Sequence, residues 1–200
     1  MTATFNYKRD TKSNRQGDIY TPKGYDACQT PAEALTPLLP YLDQFSTFWE
    51  PAAGECYLAA GLSLNLHLRT GRTIDVRATD ILTGDNFFTF ELPLPYEAIV
   101  TNPPYSIKYK WLRRCYELGK PFALLMPVEM LGAKTAQQMF ALYGIEIIFL
   151  ARRVNFKMPN KGWLGKGAQF PVCWYTWGLG IGQQVIFPEV KQEQLSLFEA

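Results

Sequence analysis

Tyr96-Glu97-Ala98-Ile99-Val100-Thr101-Asn102-Pro103-Pro104-Tyr105 is an apolar run that leads into a stiff turn, and the reading of this stretch decides the fold. The run reads as a strand, and the turn after it offers a specific way to hold an amino group. An exocyclic amine on a base is a poor nucleophile because its lone pair is delocalised into the ring. Two hydrogen-bond acceptors aimed at its two N–H bonds draw it out of that conjugation. The Asn102 side-chain oxygen supplies one acceptor and the Pro103 carbonyl the other, since proline keeps its C=O while lacking an N–H. Pro103 and Pro104 in succession stiffen the loop, so the acceptors are aimed before a substrate arrives. Tyr105 adds a flat face, and stacking on such a face contributes about 1–3 kcal/mol per base taken out of its helix. The plainer alternative is a Pro-Pro turn that ends a strand and does nothing else. A second signal upstream weighs against it.

That signal is Phe48-Trp49-Glu50-Pro51-Ala52-Ala53-Gly54-Glu55, a strand end running into a small-residue loop and then a helix, whose buried face is spaced by Leu58, Leu62 and Leu66. Small residues let backbone N–H groups at a helix start approach a ligand carboxylate closely. Ile74-Asp75-Val76-Arg77-Ala78-Thr79-Asp80 follows, a short strand ending in a carboxylate about 25 residues past Gly54, where nucleotide-binding α/β folds place a ribose-binding acid. Downstream, strand and helix alternate as a mostly parallel sheet requires. Trp111, Cys115 and Leu118 share a helix face, leaving Lys108, Lys110, Arg113 and Arg114 for solvent or phosphate. Phe122-Ala123-Leu124-Leu125-Met126 reads as a fully buried strand, Met139 and Leu142 mark another helix, and Ile145 to Leu150 another strand. Val172-Cys173-Trp174-Tyr175-Thr176-Trp177 reads as the last strand, an antiparallel edge partner for its predecessor.

With these motifs in order, the chain resembles the amino-group methyltransferases that use S-adenosylmethionine, in particular small N6-adenine DNA methyltransferases of phage and plasmid type. The resemblance covers about residues 26–177, and Asn102-Pro103-Pro104-Tyr105 is its most specific motif. It implies an α/β, class I Rossmann-like methyltransferase fold with a mostly parallel sheet and an antiparallel C-terminal strand. It further implies that the Gln29-Thr30-Pro31 segment touches the methionine end of the cofactor and that Glu50, Ala52 and Gly54 belong to the cofactor loop. Asp80, with Ile81 beside it, would bind the ribose. Asp85 of Gly84-Asp85-Asn86-Phe87 would reach the cofactor's adenine amine, while Asn102, Pro103, Pro104 and Tyr105 grip the target base. Cys56 stands where the family usually has the last glycine of its loop, a departure that bears on the pocket more than on the fold. Asp80 and Asp85 are too close in sequence for the extra strand and helix of larger relatives, so the sheet should be shortened on that side.

Composition agrees with one such domain. Two hundred residues, 48% hydrophobic, suffice for a single α/β core. No run approaches the ~20 apolar residues of a membrane span and no signal peptide opens the chain, so a cytoplasmic, nucleoid-associated protein is expected. Cys28, Cys56, Cys115 and Cys173 lack the paired spacing of a zinc site and read as reduced, mostly buried thiols. His67 is the only histidine, which excludes histidine triads and multi-histidine metal centres; its expected role is structural. No metal is expected.

Residues 152–169 interleave Arg152, Arg153, Lys157, Lys161 and Lys166 with Asn155, Phe156 and Trp163, a pattern suited to a nucleic-acid backbone and an unstacked base. A solvated loop is the alternative. The net charge is only +2, so attraction for DNA must be local. Lys8, Arg9, Lys12 and Arg15, in a flexible arm spanning 1–25, form a second phosphate contact or a plain solvated tail. The methyltransferase domain is expected over 26–187. The tail over 188–200 carries Gln194-Leu195-Ser196-Leu197-Phe198, which resembles the peptide by which bacterial polymerases and repair proteins bind the replication sliding clamp. An exposed tail with two leucines and a phenylalanine is ready to fill an apolar pocket, in a partner or on its own domain. Cytosine N4, an RNA base or a protein glutamine amide fits the same grip. A noncatalytic clamp- or DNA-binding protein on this fold is the reading from a different class.

Overall fold

A computed structural model describes residues 24–158, 162–163, 168, 170–182 and 185–186. The N-terminal basic residues, Lys161, Lys166 and the 194–198 peptide lie outside the described residues. In chain order the elements are α1 (Leu39–Leu42), β1 (Thr47–Glu50), α2 (Tyr57–Thr70), β2 (Asp75–Ala78), β3 (Ala98–Thr101), α3 (Lys108–Leu118), β4 (Phe122–Pro127), α4 (Lys134–Tyr143), β5 (Glu146–Phe149), β6 (Lys157–Met158), β7 (Gly162–Trp163), β8 (Val172–Trp177) and β9 (Val185–Ile186). Among the described residues no helix is long and apolar enough to cross a membrane.

Among the described residues seven strands form one sheet in the order β2-β1-β3-β4-β8-β5-β9, with β8 antiparallel to both its neighbours and the other six running together. A strand covered on both faces needs apolar residues at every position, and β4 is buried throughout. Its side chains alternate between two cores. Ala123 and Leu125 join Leu58, Leu62 and Leu66 of α2, whereas Phe122, Leu124 and Met126 join Trp111 and Cys115 of α3. The helix spacing read from the leucines therefore holds, and α2 lies on one face of the sheet with α3 and α4 on the other. His67 is structural here, its Nδ1 lying 2.8 Å from the Arg72 carbonyl just beyond the end of α2.

Between β2 and β3 the chain makes a 3-10 turn at Ile81–Thr83 and adds no strand, so among the described residues β2 is the sheet edge on that side. The shortened sheet expected from the Asp80–Asp85 spacing is thus present. On the other side the expectation needs correction. β8 is not an edge strand: it is inserted between β4 and β5, with Trp174 and Tyr175 fully buried, and β9 forms the edge. Alternation within a strand reports two covered faces and carries no information about which neighbours pair with it. Leu142, read as a core position of its helix, is 54% exposed, while Ala136 and Met139 of α4 face inward. Phe156, by sequence a candidate base contact, is buried with Val154 and Ala168 in the core on the α2 side.

Of the thiols, Cys115 and Cys173 are buried, Cys28 is half-buried and Cys56 is exposed. Cys56 precedes α2 with φ 62 and ψ 19, a left-handed conformation that costs an L-residue roughly 1–2 kcal/mol. The glycine of related loops would sit there without strain. After allowing for the greater chain entropy that glycine loses, Cys56→Gly is expected to stabilise the protein by about 0.5–1 kcal/mol, raising Tm by about 1–4 °C in differential scanning calorimetry. A fall in Tm would show that the thiol makes contacts worth more than the strain.

Candidate active site

The carboxyl ends of β1 and β3 open onto one cleft. The chain leaves β1 toward β2 on one side, and β3 lies on the other, so this is the switch point where open α/β sheets bind ligands. The cleft holds ≈ 750 Å³ of empty space, its open mouth included.

One wall is the loop after β1. The Ala53 N–H donates to the Thr79 carbonyl at 3.0 Å and the Thr79 N–H to the Glu50 carbonyl at 2.9 Å, which fastens the loop to the end of β2. Asp80 completes the join: its Oδ2 accepts from the Gly54 N–H at 2.9 Å and its Oδ1 from the Leu82 N–H at 2.8 Å. Gly54 has φ 51, a left-handed conformation that favours glycine, and a Cβ there would displace the Gln29 carboxamide, whose atoms would stand 2.4–2.9 Å from it. Gln29 Oε1 accepts from the Glu55 N–H at 2.8 Å. Of the 29–31 segment it is Gln29 that lines the cleft; Thr30 is buried and Pro31 leads into a 3-10 turn at Ala32–Leu35.

Glu50 ends β1 only 2% exposed, with Oε2 lacking a partner, and burial pushes its carboxyl well above the usual carboxylate range. Ala52, Gly54, Asp80, Ile81 and Asp85 all line the cleft. Cys56 is absent from its walls, so the departure from glycine does not intrude on the space.

The opposite wall follows β3. Asn102 lines the cleft, and its Oδ1 is buried with no hydrogen-bond partner. Pro103 is buried, and Pro104, also buried, lines the cleft and starts a 3-10 turn over Tyr105–Ile107. Tyr105 lies outside the cleft walls: its ring meets Phe170 edge-on at 5.8 Å and its unpartnered hydroxyl is buried, which pushes its pKa well up. Lys108 borders this turn, its Nζ lying 3.4 Å from the Tyr105 carbonyl. Sequence reading missed Asp26, which lines the cleft and accepts the Ser106 N–H at 3.1 Å, joining the 26–29 segment to the turn after the prolines. It also missed Trp111 as a wall residue, since an apolar position on a helix face carries a signal only for burial.

The described residues of the basic segment carry backbone pairing. β6 and β7 pair as a hairpin, and Lys157 exchanges backbone hydrogen bonds with Gln29 at 2.9 and 3.0 Å. The Lys157 Nζ lies 2.6 Å from a Glu55 carboxylate oxygen and 3.0 Å from the Tyr57 hydroxyl, bonds that raise its pKa. The expected phosphate contact is therefore engaged with the helix start beside the cleft. Trp163 is 44% exposed and meets Tyr57 edge-on at 5.5 Å. Arg152 is exposed, and the Arg153 guanidinium lies 3.4 Å from the Ala168 carbonyl. Among the described residues no group of three or more His, Cys, Asp or Glu is placed to hold a metal.

No protein-family model matches the chain, and no curated protein sequence matches it. Solved structures do. A Listeria monocytogenes protein assigned to the class I S-adenosylmethionine-dependent methyltransferases matches with a TM-score of 0.53 at 10% identity, covering 86% of this chain and 69% of that one. The methyltransferase subunit of a type I restriction-modification system from Streptococcus thermophilus matches with a TM-score of 0.43 at 14% identity, over 87% of this chain and 48% of its own. An O-methyltransferase from Bacillus cereus, in complex with S-adenosylhomocysteine, matches at 0.39 and 11% identity, over 72% and 79%. The chain spans about half the length of the restriction-modification subunit. The likeness is one of fold: the protein has the Rossmann-like fold of class I methyltransferases.

Proposed function

We propose that the protein is an S-adenosylmethionine-dependent methyltransferase acting on the N6 amine of adenine in DNA, with the base flipped out of its helix. The observation that carries this reading is the buried, unpartnered Asn102 Oδ1 at the end of β3, lining the same cleft as Gly54, Asp80 and Asp85. A buried acceptor without a donor costs about 1–3 kcal/mol, and an N–H of an incoming ligand removes that cost.

The donor set fits the cofactor. Gln29 and the Gly54 loop would hold its methionine end, Asp80 its ribose and Asp85 its adenine amine, beside the apolar Ile81, all of them residues that line the cleft. When bound, S-adenosylmethionine supplies an electrophilic methyl carbon on a sulfonium. The chain supplies orientation. Asn102 Oδ1 and the Pro103 carbonyl take the two N–H bonds of the target amine and its lone pair leaves ring conjugation, whereas a stacking role for Tyr105 requires its ring to leave Phe170. The nitrogen sheds one proton to water once it carries the methyl group, so no histidine is required. Lys108, Arg152, Arg153 and Trp163 form the proposed nucleic-acid contact, joined by Lys161 and Lys166. The 194–198 peptide tethers the enzyme to the sliding clamp, raising its local concentration on newly made duplex.

Mass spectrometry of nucleosides from DNA and RNA incubated with protein and cofactor tests the reading. N6-methyladenine is expected in DNA, in larger yield when the clamp is loaded on it. N4-methylcytosine, a modified RNA base, or cofactor binding without transfer would each replace the proposed activity with one of the alternatives.

A further inference from the structure

Tryptophan has a single hydrogen-bond donor, the indole Nε1–H, and no acceptor. Three tryptophans here give it a partner: Trp49 donates to Thr79 Oγ1 at 2.8 Å, Trp174 to the Ala34 carbonyl at 2.7 Å and Trp177 to the Tyr143 carbonyl at 2.8 Å. Trp111 does not. It is only 4% exposed, and its buried Nε1 has no acceptor within reach. Buried donors are nearly always paired, and an orphan of this kind costs about 1–3 kcal/mol.

Trp111 is also a wall of the cleft. Its ring is held in place, stacked on Phe87 with centroids 4.1 Å apart and planes 13° apart, and met by Phe88 at 5.9 Å and 75°. Phe87 follows Asp85 by two residues, and both line the cleft, so the indole stands at the Asp85 end. The walls there carry a carboxylate acceptor and the apolar side chains Ile81 and Ile107, and one wall residue, Trp111, holds an unused, buried N–H donor. The chemical complement of this set is a flat heterocycle carrying an exocyclic amine, which donates, and a bare ring nitrogen, which accepts.

We propose that the Trp111 Nε1–H donates to a ring nitrogen of the cofactor's adenine, making Trp111 a specificity-determining residue at the Asp85 end of the cleft. The inference rests on the S-adenosylmethionine reading above. It explains why a helix residue that packs like core leaves its one polar group unused. It also gives the site a means of rejecting a deaminated cofactor, whose six-membered ring presents a carbonyl to Asp85 in place of the amine.

Isothermal titration of S-adenosylhomocysteine and its 1-deaza, 3-deaza and 7-deaza analogues tests this on three proteins. These are the wild type, Trp111→Phe, and a variant with benzothienylalanine at 111, which keeps the fused-ring shape and puts sulfur in place of N–H. Both variants are expected to bind S-adenosylhomocysteine about three- to tenfold more weakly. One deaza analogue should show the same loss with the wild type and no further loss with the variants. Equal affinity of the wild type and the benzothienyl variant overturns the proposal, and so does a loss of the same size for all four ligands, which marks a structural effect. A wild type that binds none of the four overturns the cofactor reading itself, whereas binding that ignores the substitutions overturns the role of Trp111 alone.

Discussion

Asn102→Ala is expected to lower methyl transfer by about 10²–10³-fold while leaving cofactor affinity within about twofold of the wild type, because it removes one preorganised dipole aimed at the reacting amine. Stability should not suffer. In the free protein Asn102 Oδ1 is buried without a partner, so truncation deletes an unsatisfied acceptor and breaks no bond made by that atom. Single-turnover transfer rates on a DNA duplex, read beside calorimetric cofactor titration and thermal unfolding, check all three expectations. Joint loss of transfer and cofactor binding would assign Asn102 to the scaffold of the cleft instead. An unchanged rate would remove the amine grip from the mechanism.

The second large effect is expected at Asp80, where two substitutions separate a strut from a ligand contact. Its carboxylate holds the Gly54 N–H and also caps the turn at Ile81–Thr83 through the Leu82 N–H. Alanine breaks both bonds, and the loss of a capping side chain alone costs about 0.5–2 kcal/mol. Asp80→Ala is therefore expected to lower Tm by several degrees and cofactor affinity by about 10–100-fold. Asparagine keeps one acceptor oxygen, so Asp80→Asn retains the cap on the Leu82 N–H, loses the bond to the Gly54 N–H, and should lower Tm by about 2–4 °C, less than alanine does. It should still bind cofactor about tenfold more weakly, because a neutral amide is a poorer acceptor for ribose hydroxyls than a carboxylate. If Asp80→Asn binds cofactor as the wild type does, Asp80 is a strut for the Gly54 loop and does not touch the ligand.

Much of the fold was legible because its signals are local. Leu58, Leu62 and Leu66 carry a helix period that any buried face would impose, and Phe122 to Met126 is apolar at every position because β4 is covered on both sides. The order of motifs placed Gly54, Asp80, Asp85 and Asn102 in one cleft, since strand ends followed by tight loops must gather at the same edge of a parallel sheet. The site was less legible where a residue's role depends on a distant partner. Phe156 sits among basic residues in sequence yet fills the core on the α2 side. Lys157 reads as a phosphate contact, but Glu55, 102 positions away, holds its ammonium.

The sequence by itself determined the alternation of elements, the shortened sheet edge and the loops that furnish acceptors, because backbone sterics and hydrophobic period act within a few residues. Only the tertiary structure decided that β8 lies between β4 and β5, that Tyr105 turns toward Phe170, and that the Trp111 N–H is left without a partner at the cleft. The physical reason is one of range. A side chain's period states that it must be buried, whereas its partner is chosen by packing and hydrogen bonding between segments far apart in the chain.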